Sequence, residues 1–87
     1  MEFIKKCTIG NVFVGIYFKK EKNRYVVTDG IECNEGTSEE DTEMIIEENR
    51  DLLMGEYETT RKDRAEEEMM DRICDLLNHY FDDGFVS

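Results

Sequence analysis

Apolar and polar residues alternate along the first third of the chain and recur at helical spacing afterwards. β-Branched and aromatic residues dominate between Phe3 and Thr28, which is typical of strands. Gly10-Asn11 and the polar run KKEKNR interrupt them, as tight turns would. The pattern therefore predicts a three-stranded antiparallel meander, with strands over residues 2–9, 12–18 and 24–29.

The second predicted strand, VFVGIYF, is apolar on both faces. Val12 and every second residue after it share one face, while Phe13, Gly15 and Tyr17 share the other. Either face could be the core. Gly15 is expected to mark a bulge or the close approach of another backbone. Asp29-Gly30 is interpreted as a turn that ends the third strand, and residues 31–36 could add a short fourth strand.

A helix is predicted to begin at Thr37 or Ser38 and to continue to about residue 54. Thr37 with Glu40, and Ser38 with Asp41, both have capping-box spacing, and acids in the first turn complement the helix dipole. At 100° per residue, one side of this helix is mostly apolar. That side consists of Ile45, Ile46, Asn49, Leu52 and Leu53.

A second helix is predicted from about Thr60 to Asp83, with Gly84 as its C′ residue and Phe85 packed back onto the last turn. Its apolar residues are Met69, Ile73, Leu76, Leu77 and Tyr80. Gly55 would either end the first helix or weaken it. Continued at the same angle, the apolar face of the first helix misses the later one by about 120°. Two separate helices are therefore predicted, and the polar first turns around Glu66 are expected to project into water.

Together these elements predict an α+β fold, a three-stranded antiparallel β-meander followed by two α-helices packed on one face. The chain has 87 residues, of which 39% are hydrophobic, enough for one modest core. Residues 1–87 are therefore predicted to form a single domain. It would consist of a basic β-meander over residues 1–31 and an acidic helical part over residues 32–87.

Charge divides the chain as clearly as the apolar pattern does. Of the net −11, residues 1–31 contribute six bases and three acids, and residues 32–87 contribute five bases and nineteen acids. The segment 37–51 alone has seven acids and one arginine. Because these acids alternate with Ile, Leu and Met, they indicate a folded acidic surface and not a disordered tail.

Candidate catalytic and metal-binding residues are few. His79 has Asp75 and Asp83 four residues to either side and Cys74 five residues away, but this spacing does not match a zinc site or an activated thiol. Three cysteines without a CxxC motif favour reduced thiols. We expect no enzyme activity, no cofactor and no metal ion.

Neither membrane nor nucleic acid is expected to bind the chain directly. No stretch approaches the roughly 18 apolar residues of a membrane span, and the first ten residues lack the apolar core of a signal peptide, so the expected location is the cytoplasm. KKEKNR with Tyr17 and Tyr25 nearby could contact a single strand. However, the net charge of −11 would repel phosphates.

The acidic helical part predicts a protein partner. Solubility alone needs a net charge of magnitude about 2 to 8, and the excess costs stability through self-repulsion. A basic nucleic-acid-binding protein has the complementary potential. The candidate partner-binding residues are Glu40, Glu43, Met44, Glu47, Asp51, Glu68, Asp71, Asp75 and Asp82. Met44 would be an apolar contact among the acids, although an ordinary exposed methionine would look the same.

The order of parts resembles a known class of inhibitors. An antiparallel hairpin, VFVGIYFKKEKNRYVVTDG, precedes the acidic helical stretches SEEDTEMIIEENRD and AEEEMMDRICD. This is similar to the small acidic anti-CRISPR proteins of phages that imitate DNA and occupy the PAM-reading region of Cas9. The resemblance implies that carboxylates replace phosphates or base-edge acceptors and meet PAM-reading arginines. It also implies a Cas9-type nuclease with its guide RNA as partner, and the cytoplasm of a bacterial host as location. The basic first part could not face a basic groove, so the contact would be restricted to the helices.

The alternative is a structural or assembly protein of phage type that acts through homo-oligomerisation. It would form a homodimer through the exposed sheet face, and its acidity would serve only solubility. Salt separates the two hypotheses, since a complex mediated by carboxylates weakens as ionic strength rises and an apolar dimer does not.

Overall fold

The structure, a computed structural model, describes residues 1–81 and has an α+β fold, as predicted. Its strands are β1 (Glu2–Ile9), β2 (Val12–Lys19), β3 (Arg24–Ile31) and β4 (Tyr57–Thr59), and its helices are α1 (Glu39–Glu48) and α2 (Lys62–Phe81). A single 3₁₀ turn, Arg50–Leu52, follows α1. The strands form one antiparallel sheet in the order β1-β2-β3-β4. The predicted helix end at Asp83 and Gly84, and the predicted packing of Phe85, lie outside the described residues.

The first three strands confirm the predicted meander to within two residues at each end. Gly10, at φ 59°, and Asn23, at φ 53°, provide the positive φ of the two turns between them. Glycine and asparagine reach this region at lower cost than other residues. Turn chemistry that is readable in the sequence thus determines the register of the hairpins.

Gly15 does not mark a bulge, contrary to the prediction. It pairs regularly with Lys6 on β1 and Thr28 on β3, and the register shift lies instead between Phe3 and Lys5. A Cβ atom at position 15 would come within 3.1 Å of the Tyr17 ring. Glycine therefore makes room for an aromatic ring that lies back along its own strand.

The fourth strand lies elsewhere than the sequence suggested. Residues 57–59, between the two helices, pair antiparallel with Tyr25, Val26 and Val27 of β3, whereas residues 32–36 form no strand. Three residues are too few to establish an alternation. This strand forms because the unpaired edge of β3 is available to it.

The core lies between one face of the sheet and α2. Val12, Val14, Ile16 and Val27 are fully buried and belong to one cluster with Ala65, Met69, Ile73 and Leu76. This settles which face of β2 points inward. The start of α2 does not project into water as predicted, because Ala65 is fully buried and Glu66 is half-buried beside Lys5, 3.5 Å from its Nζ.

Two separate helices are confirmed, but only α2 packs over the sheet. Helix α1 ends at Glu48, with Asn49 as its C-cap, and has no buried residue. The Asn49 Nδ2 group donates to the carbonyl of Ile45 at 2.8 Å. Gly55 lies in the connection beyond the 3₁₀ turn, so it neither ends α1 nor weakens it.

Candidate functional site: the acidic helical surface

Helix α1 concentrates negative charge more than any other element over residues 1–81. Its ten residues include six acids and no base. Ser38 begins the helix, since its Oγ accepts a hydrogen bond from the Asp41 amide at 3.1 Å, and the acids of the first turn face the positive end of the helix dipole. Glu47 and Glu48 sit at the negative end, where acids are unfavourable, and only Glu47 has a cationic neighbour, Arg50 at 2.8 Å.

We define the acidic helical surface as the exposed acids of α1, the 3₁₀ turn and α2. Its members are Glu39, Glu40, Asp41, Glu43, Glu47, Glu48, Asp51, Asp63, Glu67, Asp71 and Asp75. All the predicted partner-binding acids except Glu68 and Asp82 belong to it. They form open helix faces, not a cleft.

Met44 occupies the centre of the α1 part of this surface. Its side chain is 60% exposed, and Glu40 and Glu47 lie one helical turn to either side of it. The exposure predicted for Met44 is confirmed. Ile46, expected on the buried side, is also 37% exposed, so α1 presents apolar atoms as well as carboxylates to solvent.

On α2, Met70 is likewise an exposed methionine among acids, as Met44 is on α1. It is 58% exposed and lies in a shallow depression whose other lining residues, Asp63, Glu66, Glu67 and Asp71, are all acids. The sequence interpretation missed it, although the helical phase of Ile73 and Leu76 turns Met69 inward and therefore Met70 outward.

The acids of α2 are more neutralised than those of α1. Arg61 lies 2.6 Å from Asp63, and its hydrogen bond holds the pKa of the Asp63 carboxyl below the ordinary value. Arg64 lies 3.1 Å from Glu67. The unbalanced charge of the surface is therefore greatest on α1.

Glu68 does not belong to the free surface, contrary to the prediction. Its Oε1 accepts a hydrogen bond from Arg72 Nε at 3.2 Å, and its side chain is only 30% exposed. It is one member of a partly buried ionic network. Asp82 lies outside the described residues.

The centre of that network is a buried ion pair between Asp29 and Arg72. The Asp29 Oδ1 and Arg72 Nη1 atoms are 3.0 Å apart, and the side chains are 2% and 6% exposed. Asp29 Oδ2 also accepts from the Met54 amide, and Arg72 Nη2 donates to the Gly55 carbonyl, both at 2.6 Å. The interpretation of Asp29 as a turn residue is wrong, because it lies inside β3 and its charge fixes the connection between α1 and β4.

A second contact fixes the end of α1. The Tyr80 hydroxyl donates to Asn49 Oδ1 at 2.8 Å, and Asn49 is 8% exposed. This bond joins the C-terminal ends of α1 and α2. The α1 acids therefore have a defined position although none of them is buried.

The basic turn of residues 19–24 lies at the opposite end of the sheet from the place where the chain leaves toward α1. Residues 19–24 contain four bases and one acid at the turn between β2 and β3. The path to α1 leaves the opposite end of the sheet, where the Glu32 amide donates to the Asn11 carbonyl at 2.9 Å. The strands have eight residues, which separates the two ends by about 26 Å. The hairpin therefore does not neutralise α1 directly.

Other chemistry is sparse in the part of the chain that the structure describes. Over residues 1–81, no three His, Cys, Asp or Glu side chains are grouped so that they could hold a metal ion. Cys7, Cys33 and Cys74 are free thiols, and His79 is exposed. No helix within these residues combines the length and the apolar character that crossing a membrane requires.

No model of a known protein family, no curated protein and no solved structure matches the chain. Function has to be inferred from the charge, exposure and geometry of the acidic helical surface itself.

Proposed function

We propose that this protein is an inhibitor that binds a basic nucleic-acid-binding protein through its acidic helical surface, in the place of nucleic acid. The observation that carries the proposal is α1, with six acids, no base and no buried residue. Such a helix contributes little to the core and costs stability through self-repulsion. A cationic partner would offset that cost.

The spacing of charge on α1 is close to that of nucleic acid. Ten residues at 1.5 Å per residue make a rod of about 15 Å, so the six acids amount to about one charge per 2.5 Å. Duplex DNA has one charge per roughly 1.7 Å of axis, and a single strand one per roughly 3.4 Å. A groove lined by arginine and lysine for phosphates would therefore meet a similar charge density.

The exposed methionines favour a protein partner. Met44 and Met70 are 60% and 58% exposed, and each is surrounded by acids. A flexible apolar side chain within a charged rim is a common arrangement in protein interfaces, where a few central contacts supply most of the affinity. Charge would accelerate and orient the encounter, and the methionines would slow dissociation.

A Cas nuclease is the target that we propose to test first, which makes the protein an anti-CRISPR inhibitor. The order of hairpin and acidic helices is similar to that of the phage inhibitors of Cas9, and PAM-reading arginines would be natural partners for the acids. Asp51, Asp71 and Asp75 would extend the contact beyond α1.

The proposal is tested with a charge-reversed variant and a matched control. The charge-reversed variant has lysine in place of Glu43, Glu47 and Asp51. The control variant has lysine in place of Glu2, Glu21 and Glu35, which are exposed outside the acidic helical surface. Both triple variants therefore change the net charge equally. Each is used for affinity capture from a bacterial lysate and for binding to a purified Cas9–guide RNA complex.

We expect the native protein and the control to retain a basic nucleic-acid enzyme that DNA displaces. The helical variant should lose it, and affinity should fall by roughly tenfold or more between low and moderate salt. Equal retention by the two triple variants would contradict the proposal. If the native protein retains another basic enzyme and does not retain Cas9, the result supports mimicry of nucleic acid and rejects Cas9 as the target.

The alternative, an assembly protein whose acidity serves only solubility, is favoured by one observation: the second face of the sheet is not covered by α2. It predicts that neither triple variant loses function.

A further inference from the structure

The face of the sheet opposite α2 has no partner within the described residues. Strand alternation places it on the far side from the core. We define this open sheet face by four rows of paired residues and two flanking glutamates. The rows are Lys19–Arg24, Phe3–Tyr17–Val26, Lys6–Gly15–Thr28 and Thr8–Phe13–Gly30, and the glutamates are Glu32 and Glu58. Val26 is fully buried among its neighbours on this face.

The open sheet face carries three aromatic rings, those of Phe3, Phe13 and Tyr17. The Phe13 ring lies against Gly30, since a Cβ atom added at Gly30 would come within 2.7 Å of Phe13 Cε1. In the same way, the Tyr17 ring lies over Gly15. Phe3 packs edge-on against Tyr17, with ring centroids 5.6 Å apart, and is 52% exposed. Rings that lie across glycines fill the space of the missing side chains, so this face offers aromatic surface on which a second layer can pack.

Charges on the open sheet face are paired. Lys6 lies 2.7 Å from Glu32, and Lys19 lies 3.2 Å from Glu58. These contacts lower the pKa values of both glutamates below the ordinary value. With Arg24 beside Lys19, the face is close to neutral on a chain of net charge −11. It is therefore a broad surface where two copies can approach without bringing unpaired acids together.

We propose that the open sheet face binds a second copy of this chain, sheet against sheet. Its dimensions are roughly 26 by 17 Å, so two copies would bury on the order of 900 Å² in total, which is the range of weak specific complexes. Nucleic acid is a poorer occupant, since Lys6 and Lys19 are already paired with glutamates.

Dimerisation through this face does not depend on the proposed inhibition, and the assembly alternative requires it. The triple charge variants, and not the dimer, therefore separate the two functions. Since α2 lies on the opposite side of the sheet, the α2 acids of the two copies would face outward on opposite sides of the dimer. An inhibitor of that form is bivalent, and its affinity would rise only for a partner assembly that presents two basic grooves within reach of both surfaces.

The test is the molar mass in solution of the chain alone, measured by sedimentation equilibrium from about 1 to 300 µM at low and high salt. We expect a shift from monomer to dimer that strengthens as salt rises, because salt screens the repulsion between two chains of net charge −11. Binding to a basic partner must change with salt in the opposite direction, so failure of one proposal is distinguishable from failure of the other.

Two matched variants locate the interface. Phe3→Glu changes the open sheet face and Met70→Glu changes α2, at side chains of similar exposure, 52% and 58%. We expect Phe3→Glu to weaken the dimer at least tenfold and Met70→Glu to leave it nearly unchanged. A dilution series of the native chain is also followed by the amide NMR shifts of Gly15, Thr28 and Gly30. We expect these shifts to change with concentration, and because no variant is used, misfolding of a variant cannot affect the result.

A chain that stays monomeric at every concentration would overturn the proposal, and so would equal weakening by the two variants. A labelled single-stranded oligonucleotide is titrated alongside. If it binds the native monomer and Phe3→Glu abolishes that binding, the occupant is nucleic acid and the dimer is rejected.

Discussion

Buried apolar side chains hold the sheet and α2 together, whereas α1 contributes no buried residue. Residues 12, 14 and 16 are fully buried against α2, while Met44 and Ile46 of α1 are 60% and 37% exposed. Polar contacts at Asn49 and Met54 fix α1 to the rest of the molecule. Apolar burial therefore stabilises the sheet and α2, whereas a few polar contacts position α1 and leave its acids exposed to a partner.

The largest effect is expected where the two regions are joined. Arg72→Met leaves Asp29 buried without its cation and removes the bond to Gly55. Breaking one partner of a buried pair typically costs about 3–5 kcal/mol. Urea unfolding should show a loss of this size, and hydrogen exchange should show faster opening of residues 49–56.

A second change separates charge from packing at that junction. The double variant Asp29→Leu with Arg72→Met removes both charges, and it should recover much of the stability lost by Arg72→Met alone. If the double variant is as unstable as the single one, the bonds to Met54 and Gly55 matter more than the buried charge.

The core and α1 are compared directly by matched truncations. Ile16 is fully buried and Ile46 is 37% exposed. Ile16→Ala should lower the free energy of unfolding by about 3 kcal/mol, because it leaves a cavity against α2, and Ile46→Ala by less than about 1 kcal/mol. Similar losses in urea unfolding would mean that α1 belongs to the core after all.

The helix cap should affect α1 alone. Ser38→Ala removes the bond to the Asp41 amide, and loss of such a cap costs about 1 kcal/mol. Because α1 is weakly coupled to the core, we expect faster amide exchange within residues 39–48 and little change in the sheet. A uniform increase in exchange across the sheet would show that the two regions unfold together.

The smallest effect is a dependence on acid pH at the sheet. Lys6 and Lys19 depress the pKa values of Glu32 and Glu58 below the ordinary 4.5. Groups with depressed pKa contribute stability that is present above pH 4.5 and lost as pH falls through the folded value. Native protein should lose more stability between pH 6 and pH 3.5 than the variant Lys6→Met with Lys19→Met. Identical pH profiles would show that these exposed pairs contribute nothing.

Much of the fold could be predicted because its signals are local. Alternation and turn residues predicted β1, β2 and β3, and helical phase separated α1 from α2. Capping-box spacing predicted the start of α1 at Thr37 or Ser38, and the structure has Ser38. The exposure of Glu40, Glu43, Met44 and Glu47 also followed from helical periodicity. These features depend on neighbours within one or two turns of the chain.

The errors share a different cause. Strand β4 is three residues long and exists only beside β3, and Gly15 is explained only by the Tyr17 ring above it. Helical phase alone predicts that Glu68 is exposed, and phase carries no information about its ion pair with Arg72. The sequence does contain a signal for the pair of Asp29 and Arg72. Asp29 lies on the predicted apolar face of a strand, and Arg72 lies on the predicted apolar face of a helix. Opposite charges at two such positions could have revealed the ion pair.

The sequence by itself determined the hairpins, the two helices and the concentration of acids on α1, because backbone conformation and the periodicity of side chains are set by nearby residues. Only the tertiary structure decided which face of β2 is buried, where β4 pairs and which acids remain free. These depend on contacts between residues that are far apart in the chain, such as Asp29 with Arg72 and Asn49 with Tyr80.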